Sequence, residues 1–583
     1  MIRTPTKTLI LSLMVWLAVL LGPFGSVARA EGLETDRVLQ PQGLNHTGIY
    51  ALREIEPSLT GTGVKFAIIC RSITYIDDEP QNDYRPNIEH NCFKTEQFIF
   101  HDQGELPAGI SPHSTAICSV LLGEDADAFN PDLGQFYYQG AAPGAKADIY
   151  EFYDFLINNV FGLSALDADI VLAGIGSPFE DWWTRGIESL AEHCGLIIVA
   201  SIGNGSNAYD PLLYPGAAAN VIGVGVVDSV NTESLETSLA HFSLAYPEHS
   251  SFGPTVDGRC KPDIVAPGNC LAASASEPDG YEATGSWSSF SAPLTAGAVG
   301  LLVQKAKQEP GLSLAVSPEG GNCAIKAILL NSATKLPYWH KGRLQTDDDH
   351  FVPLDCVQGA GMLNAVCAYE HLIAGRNEPG DVAAIGWDNN QIEKSKTSEN
   401  VYKITIPEPT DKFVTATLIW NRHYQGSYPF EPLLTEDSDL RLELWAVDPD
   451  NSDNDYLLDY SDSSVDNVEH IYCKAVANYT DYKIVVSYSD VDDQRDADRA
   501  QRYGLAWNVN ERQNSDNIFW HDLNADGIVD VWDFVVLVDN WVATIKLPES
   551  YVLGDVNTDG AIDVNDLQIL LDHNNRQADW HKR

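Results

Sequence analysis

Gly61-Thr62-Gly63-Val64-Lys65-Phe66-Ala67-Ile68-Ile69 is a glycine-marked turn running into an almost unbroken apolar strand. Three further runs share its texture: Ile170-Val171-Leu172-Ala173, Leu196-Ile197-Ile198-Val199-Ala200 and Val221-Ile222-Gly223-Val224. Strands this continuously apolar are buried on both faces, which is the condition of a parallel sheet covered on each side. Helical or Gly-rich stretches separate them from residue 31 to 385, and that alternation predicts an α/β doubly wound domain.

Working outward, the texture changes twice. From 386 to 512, short alternating strands dominate: Val401–Ile406, Thr415–Trp420, Leu440–Trp445 and Tyr482–Tyr488. Acidic turns such as Asp448-Pro449-Asp450-Asn451 divide them, which predicts an antiparallel β-sandwich. Residues 518–583 hold a duplicated acidic loop, each copy followed by an apolar helical stretch. At the other end, Arg3 and Lys7 precede an apolar run from Leu9 to Leu21, and Ala28-Arg29-Ala30 closes it. This is the pattern of a secretory signal peptide over residues 1–30, with cleavage after Ala30. The expectation is a secreted, periplasmic or cell-surface protein with no transmembrane segment after cleavage.

The chain has 583 residues, enough for several domains. With 44% hydrophobic and 10% aromatic residues it has the matter for a large core, which excludes a disordered or collagen-like chain. Its 36 Lys and Arg stand against 83 Asp and Glu, a formal charge of −47. Such a chain repels nucleic-acid phosphate and anionic lipid, and it attracts cations. Ten cysteines run from Cys70 to Cys473. Export permits disulfides without dictating them. Cys260 with Cys270, or Cys323 with Cys356 or Cys367, are candidate pairs.

The two acidic loops fit calcium. The first offers oxygen ligands from Asp522, Asn524, Asp526, the Ile528 carbonyl, Asp530 and Asp533. The second offers Asp555, Asn557, Asp559, the Ala561 carbonyl, Asp563 and Asp566. Gly527 and Gly560 stand at the sixth position, where such a loop turns sharply. Calcium takes six to eight hard oxygen ligands, so two Ca2+ ions are expected. The pair resembles a type I dockerin module. That resemblance implies calcium-dependent folding and a cohesin domain of a scaffold protein as partner. It also implies that Val531-Trp532 and Val564-Asn565 help choose the cohesin.

An ordered series of motifs makes the large domain resemble a subtilisin-like serine peptidase. They are Gly61–Ile69, His113-Ser114-Thr115-Ala116-Ile117-Cys118, Gly140-Ala141-Ala142-Pro143-Gly144-Ala145 and Ala200-Ser201-Ile202-Gly203-Asn204-Gly205. Ser251-Phe252-Gly253-Pro254, Lys261–Gly268 and Ser288-Ser289-Phe290-Ser291-Ala292-Pro293 complete it. The resemblance implies Ser289 as nucleophile near a helix N-terminus, His113 as general base and Asn204 as oxyanion donor. It implies that Ala173–Gly176 pairs with an extended peptide as an added strand. The middle segment resembles the β-sandwich of the pre-peptidase or proprotein-convertase kind that follows such domains, through Asp437–Leu442, Asp466–Ile471 and Tyr503–Trp507.

The third member of the triad is missing. Cys70 takes the position of its Asp, with Arg71-Ser72 behind it. A thiol cannot orient His113 and stabilise its cation as a carboxylate does. In subtilisin itself, losing that Asp lowers kcat roughly 3 × 10⁴-fold. Asp77, Asp78 and Asp83 follow in a loop; one of them folding back is one alternative, a solvated acidic loop the other. Cys70 itself reads as a buried thiol or half of a disulfide. Trp287 stands beside the nucleophile, where its bulk would narrow a cleft. Two functions follow: a secreted serine endopeptidase of weakened activity, tethered through its dockerin, or an inactive pseudopeptidase that binds peptide chains within an extracellular complex.

Overall fold

The computed structural model describes residues 38–39, 47–511, 529–539 and 563–575. Within these spans, residues 71–73, 77–78, 105–106, 132–133, 165, 206–210, 228–249, 269, 285–286, 336–338, 342–349, 394–395, 397–398, 411, 435–437 and 490–499 lie outside the description. The expected signal peptide therefore falls outside it, as do Arg71, Ser72, Asp77 and Asp78.

Seven parallel strands form the central sheet: β1 (Lys65–Ile69), β2 (Phe98–His101), β3 (Lys146–Tyr150), β4 (Ile170–Ala173), β5 (Ile197–Ser201), β6 (Ile222–Val227) and β7 (Ile264–Pro267). Their spatial order is β7-β6-β5-β4-β1-β3-β2. The four apolar runs of the sequence become β1, β4, β5 and β6. Ile170 lies opposite both Phe66 and Ile197, so they are adjacent central strands. Their side chains feed two cores. Phe66 and Ile68 face one cluster, with Leu301 and Leu302, while Ala67 and Ile69 face a second, with Ile187 and Leu190. Both faces are thus covered, which is why no polar alternation shows in these strands.

Among the described residues, five helices of ten residues or more belong to this unit: α1 (Pro112–Leu122), α2 (Trp182–Cys194), α3 (Ser288–Gln308), α4 (Gly321–Asn331) and α5 (Ala365–Ala374). α1 starts where Ser111 accepts the amide of Ser114 and Pro112 fills the first helical position, two signals that fix a helix start. α3 is buried along most of its length. A hairpin, β8 (Leu271–Ala273) and β9 (Tyr281–Ala283), lies between β7 and α3.

Beyond α5 the chain enters a second set of sheets whose first strand starts at Gly380. One sheet joins β10 (Gly380–Val382), β12 (Glu399–Thr405), β17 (Asp481–Tyr488), β14 (Leu440–Val447) and β15 (Tyr456–Ser461); the other joins β11 (Ile385–Ile392), β18 (Gln501–Glu511), β13 (Lys412–Trp420) and β16 (Val468–Lys474). Except for the parallel β10–β12 pair, neighbours are antiparallel. Leu440, Leu442 and Leu444 from one sheet meet Val414, Ala416 and Leu418 from the other in one core. Period-two alternation is plain in β14, where buried and half-buried residues alternate without a break.

The two units are packed tightly together. Gly504 of β18 lies so close to α4 that a Cβ there would stand 2.4 Å from the Cys323 carbonyl carbon. A buried polar chain also crosses the boundary. Thr417 Oγ1 donates to Asn331 Oδ1 at 2.9 Å, and Lys335 Nζ meets His470 Nε2 at 2.9 Å. Near the C-terminus, two short helices, α6 (Val531–Asp539) and α7 (Val564–Asp572), contact each other.

Candidate active site

The site lies at the carboxyl ends of the central strands, where open α/β sheets place their ligands. Cys70 directly follows β1, Gly174 follows β4, and Ser201–Gly205 leads out of β5. Sheet order turns back at β1, which splays the connections on either side of it.

His113 is the second residue of α1. Its Nδ1 lies 3.1 Å from the main-chain carbonyl of Cys70. A carbonyl only accepts, so Nδ1 carries the proton and Nε2 is left as the basic nitrogen. Phe290 flanks the ring, with centroids 6.3 Å apart. Gly174 closes the third side: a Cβ there would stand 3.6 Å from His113 Cε1 and 2.7 Å from Ile117 Cδ1. The start of α1 disfavours a cation on His113, and a carbonyl dipole offsets this less than a carboxylate would.

Cys70 is buried. The Cys70 thiol neighbours that of Cys118, five residues beyond His113 on α1. Burial, together with the Cys70 thiol, pushes the Cys118 thiol well above the usual range. Cys70 thus meets the imidazole through its main-chain carbonyl. Asp83 is described and stands beside Gly109.

Ser289 is the second residue of α3 and is 8% exposed. Pro293 has no N–H to give the Ser289 carbonyl, so the first turn of α3 lacks one helical bond. Asn204 is fixed by the preceding residue of the same helix. Its Oδ1 accepts from Ser288 N and from Ser288 Oγ, each at 2.8 Å. Ser288 Oγ also accepts from Gly203 N at 3.2 Å, and the Ser288 carbonyl accepts from Ser201 Oγ at 3.1 Å. With the acceptor end of Asn204 engaged, its amide N–H donors are the end available to a ligand.

His113, Asn204 and Ser289 line one open cleft of about 450 Å³. Ala272, Ala273 and Glu282 of the β8–β9 hairpin form part of its wall, and Trp287, 40% exposed, lines it together with Ser289. The bulk expected at Trp287 is thus present at the cleft. Ser288 and the hairpin were not legible as site residues. Ser288 was concealed within a serine-rich run, and the hairpin is distant in sequence from His113 and Asn204.

Residues 61–351 match the sequence model of the subtilase family. That stretch is similar to a subtilase domain. The chain is 32% identical over 333 residues to the serine protease AprX of Bacillus subtilis, covering 53% of this chain and 66% of AprX. It is 27% identical over 267 residues to pyrolysin of Pyrococcus furiosus, covering 40% of this chain and 18% of pyrolysin. The chain therefore spans less than two thirds of each relative. A solved PatG macrocyclase in complex with peptide aligns with 57% of this chain and 98% of its own, at 17% identity and a TM-score of 0.39, too loose a likeness to bear on the argument.

Of the proposed calcium ligands, Asp522, Asn524, Asp526, Ile528, Asp555, Asn557, Asp559 and Ala561 lie outside the described residues. The four described ones repeat a single geometry. Asp530 N donates to Asp533 Oδ2 at 2.6 Å, and Asp563 N to Asp566 Oδ2 at 2.8 Å. Trp532 N donates to Asp530 Oδ1, and Asn565 N to Asp563 Oδ1, each at 2.8 Å. Asp533 and Asp566 are fully buried, whereas Val531, Trp532 and Val564 are exposed. Among the described residues, no helix is long and apolar enough to cross a membrane.

Proposed function

We propose that this chain is a secreted serine-type endopeptidase, held to a cohesin-bearing scaffold by its C-terminal module. The observation that carries the peptidase reading is the convergence of Ser289, His113 and Asn204 on one open cleft. Ser289 Oγ attacks the scissile carbonyl while His113 Nε2 takes its proton, because Nδ1 is already the protonated nitrogen. Asn204 Nδ2 and the Ser289 main-chain N–H donate to the oxyanion, a term worth roughly 2.7–4 kcal/mol per donor in subtilisin. The Cys70 carbonyl holds the tautomer but carries no full charge to stabilise the imidazolium. Turnover is accordingly slow.

The second reading, a pseudopeptidase that binds peptide chains, is favoured by Cys70 at the triad Asp position and by Trp287 at the cleft. A fluorophosphonate probe separates the two. Covalent labelling that disappears in Ser289→Ala supports the enzyme; an unlabelled wild-type protein that still binds peptide supports the alternative.

For the C-terminal module, the donor set fits a hard divalent cation. It is all oxygen, it is duplicated, and Asp533 and Asp566 are carboxylates buried at the loop ends. Calcium held by the twelve residues named above would neutralise that buried charge and close both loops. The exposed Val531-Trp532 and Val564-Asn565 then offer the surface for cohesin. Pull-down with cohesin domains, with and without chelator, tests the tether.

A further inference from the structure

Cys260 and Cys356 are far apart in sequence yet their Sγ atoms lie 3.8 Å apart. Cys260, in the loop before β7, is buried, and its thiol donates to the Leu354 carbonyl at 3.4 Å. Cys356 is half-buried, so its sulfur is the one a reagent reaches. The pair joins three segments at a sensitive place. Gly253 N donates to both the Lys261 and the Cys356 carbonyls, at 2.6 and 2.9 Å. Two residues before Gly253, Ser251 N donates to the Gly203 carbonyl at 3.1 Å and Ser251 Oγ accepts from Gly205 N at 3.2 Å. Those two contacts bracket Asn204. Main-chain hydrogen bonds thus lead from the sulfur pair to the loop carrying the oxyanion donor.

We propose that Cys260 and Cys356 are a redox modification site whose disulfide stiffens the Asn204 loop. The Cys356 thiolate attacks a low-molecular-weight disulfide such as oxidised glutathione, forming a mixed disulfide and releasing one thiol. Cys260 then attacks the Cys356 sulfur and releases the second. Two S–H bonds are lost, one S–S bond forms, and the external disulfide is reduced to two thiols that take up the protons. The cross-link itself is independent of the peptidase reading; its catalytic consequence rests on that reading.

The test equilibrates the full chain in buffers of oxidised or reduced glutathione, then alkylates, digests without reductant and analyses peptides by mass spectrometry. A Cys260–Cys356 linked peptide, lighter by two hydrogens than its separate halves, is expected only in the oxidised buffer. The oxidised protein should melt several degrees above the reduced one, and Cys356→Ser should remove that difference. Fluorophosphonate should label Ser289 several-fold faster in the oxidised state. Cys356 ending as a stable mixed disulfide, or linked to Cys323 or Cys367, overturns the pairing. A linked pair with an unchanged labelling rate overturns the coupling to Asn204. No labelling in either state, with the linked peptide present, refutes the peptidase reading and upholds the pair.

Discussion

Replacing Cys70 by Asp isolates what the triad position has lost. His113 is oriented by the Cys70 carbonyl at 3.1 Å, so the substitution adds charge to a base whose tautomer is already set. A carboxylate about 4 Å from the imidazolium gains about 4 kcal/mol at an effective dielectric constant near 20. Spent on the transition state, that is roughly a 10³-fold rise in kcat. The value lies below the roughly 3 × 10⁴-fold cost of losing the Asp in subtilisin, as expected where orientation is partly retained. Initial rates of fluorogenic peptide hydrolysis, normalised by active-site titration, measure the gain. Ser289→Ala in the Cys70→Asp background must abolish it. Because Cys70 is buried beside Cys118, the melting temperature is measured alongside, with Cys70→Ser as the control that removes the sulfur contact without adding charge. The reasoning is refuted if Cys70→Asp folds like the parent, cleaves no faster, and the parent activity still depends on Ser289. Another acid would then already serve His113.

Asn204→Ala should lower kcat by about 10²–10³-fold, the effect of one oxyanion donor. Ser288→Ala, which removes only the hydroxyl contacts to Asn204 Oδ1 and Gly203 N, should cost less in kcat and be partly rescued by Ser288→Thr. Asp466 is buried at the junction of the two units and burial raises its pKa to about 6, against contacts with Ser463 and Cys260 N. A carboxyl raised in the fold binds its proton longer than the unfolded chain, so stability falls as pH rises from about 4 to about 6. At about 1.36 kcal/mol per unit this amounts to about 3 kcal/mol, and Asp466→Asn should flatten that part of a melting-temperature profile. Calcium removal should abolish a separate low-temperature transition in calorimetry of the full chain. Asp533→Asn or Asp566→Asn should each weaken that transition, leaving the main one unmoved.

Much of the fold was legible because burial leaves a mark on composition. β1, β4, β5 and β6 are apolar on both faces, so their runs stood out, and β14 showed its alternation residue by residue. β11 was missed because Asp388, Asn389 and Asn390 interrupt it; in the fold Asp388 accepts from Arg376 and Tyr402, and Asn389 Nδ2 donates to the Leu314 and Glu319 carbonyls.

The sequence alone determined which residues stand at the motif positions, that Cys70 stands where the resemblance implies an acid, and that an acidic loop is duplicated near the C-terminus. These are matters of residue type and local spacing. Only the tertiary structure decided that the Cys70 main-chain carbonyl meets His113, that Ser288 anchors Asn204, and that Cys260 lies beside Cys356. Each depends on strand ends, loops and helix starts that are distant in sequence and brought together by the order of the parallel sheet. No local pattern encodes such a meeting, because it is the packing of the whole core that sets it.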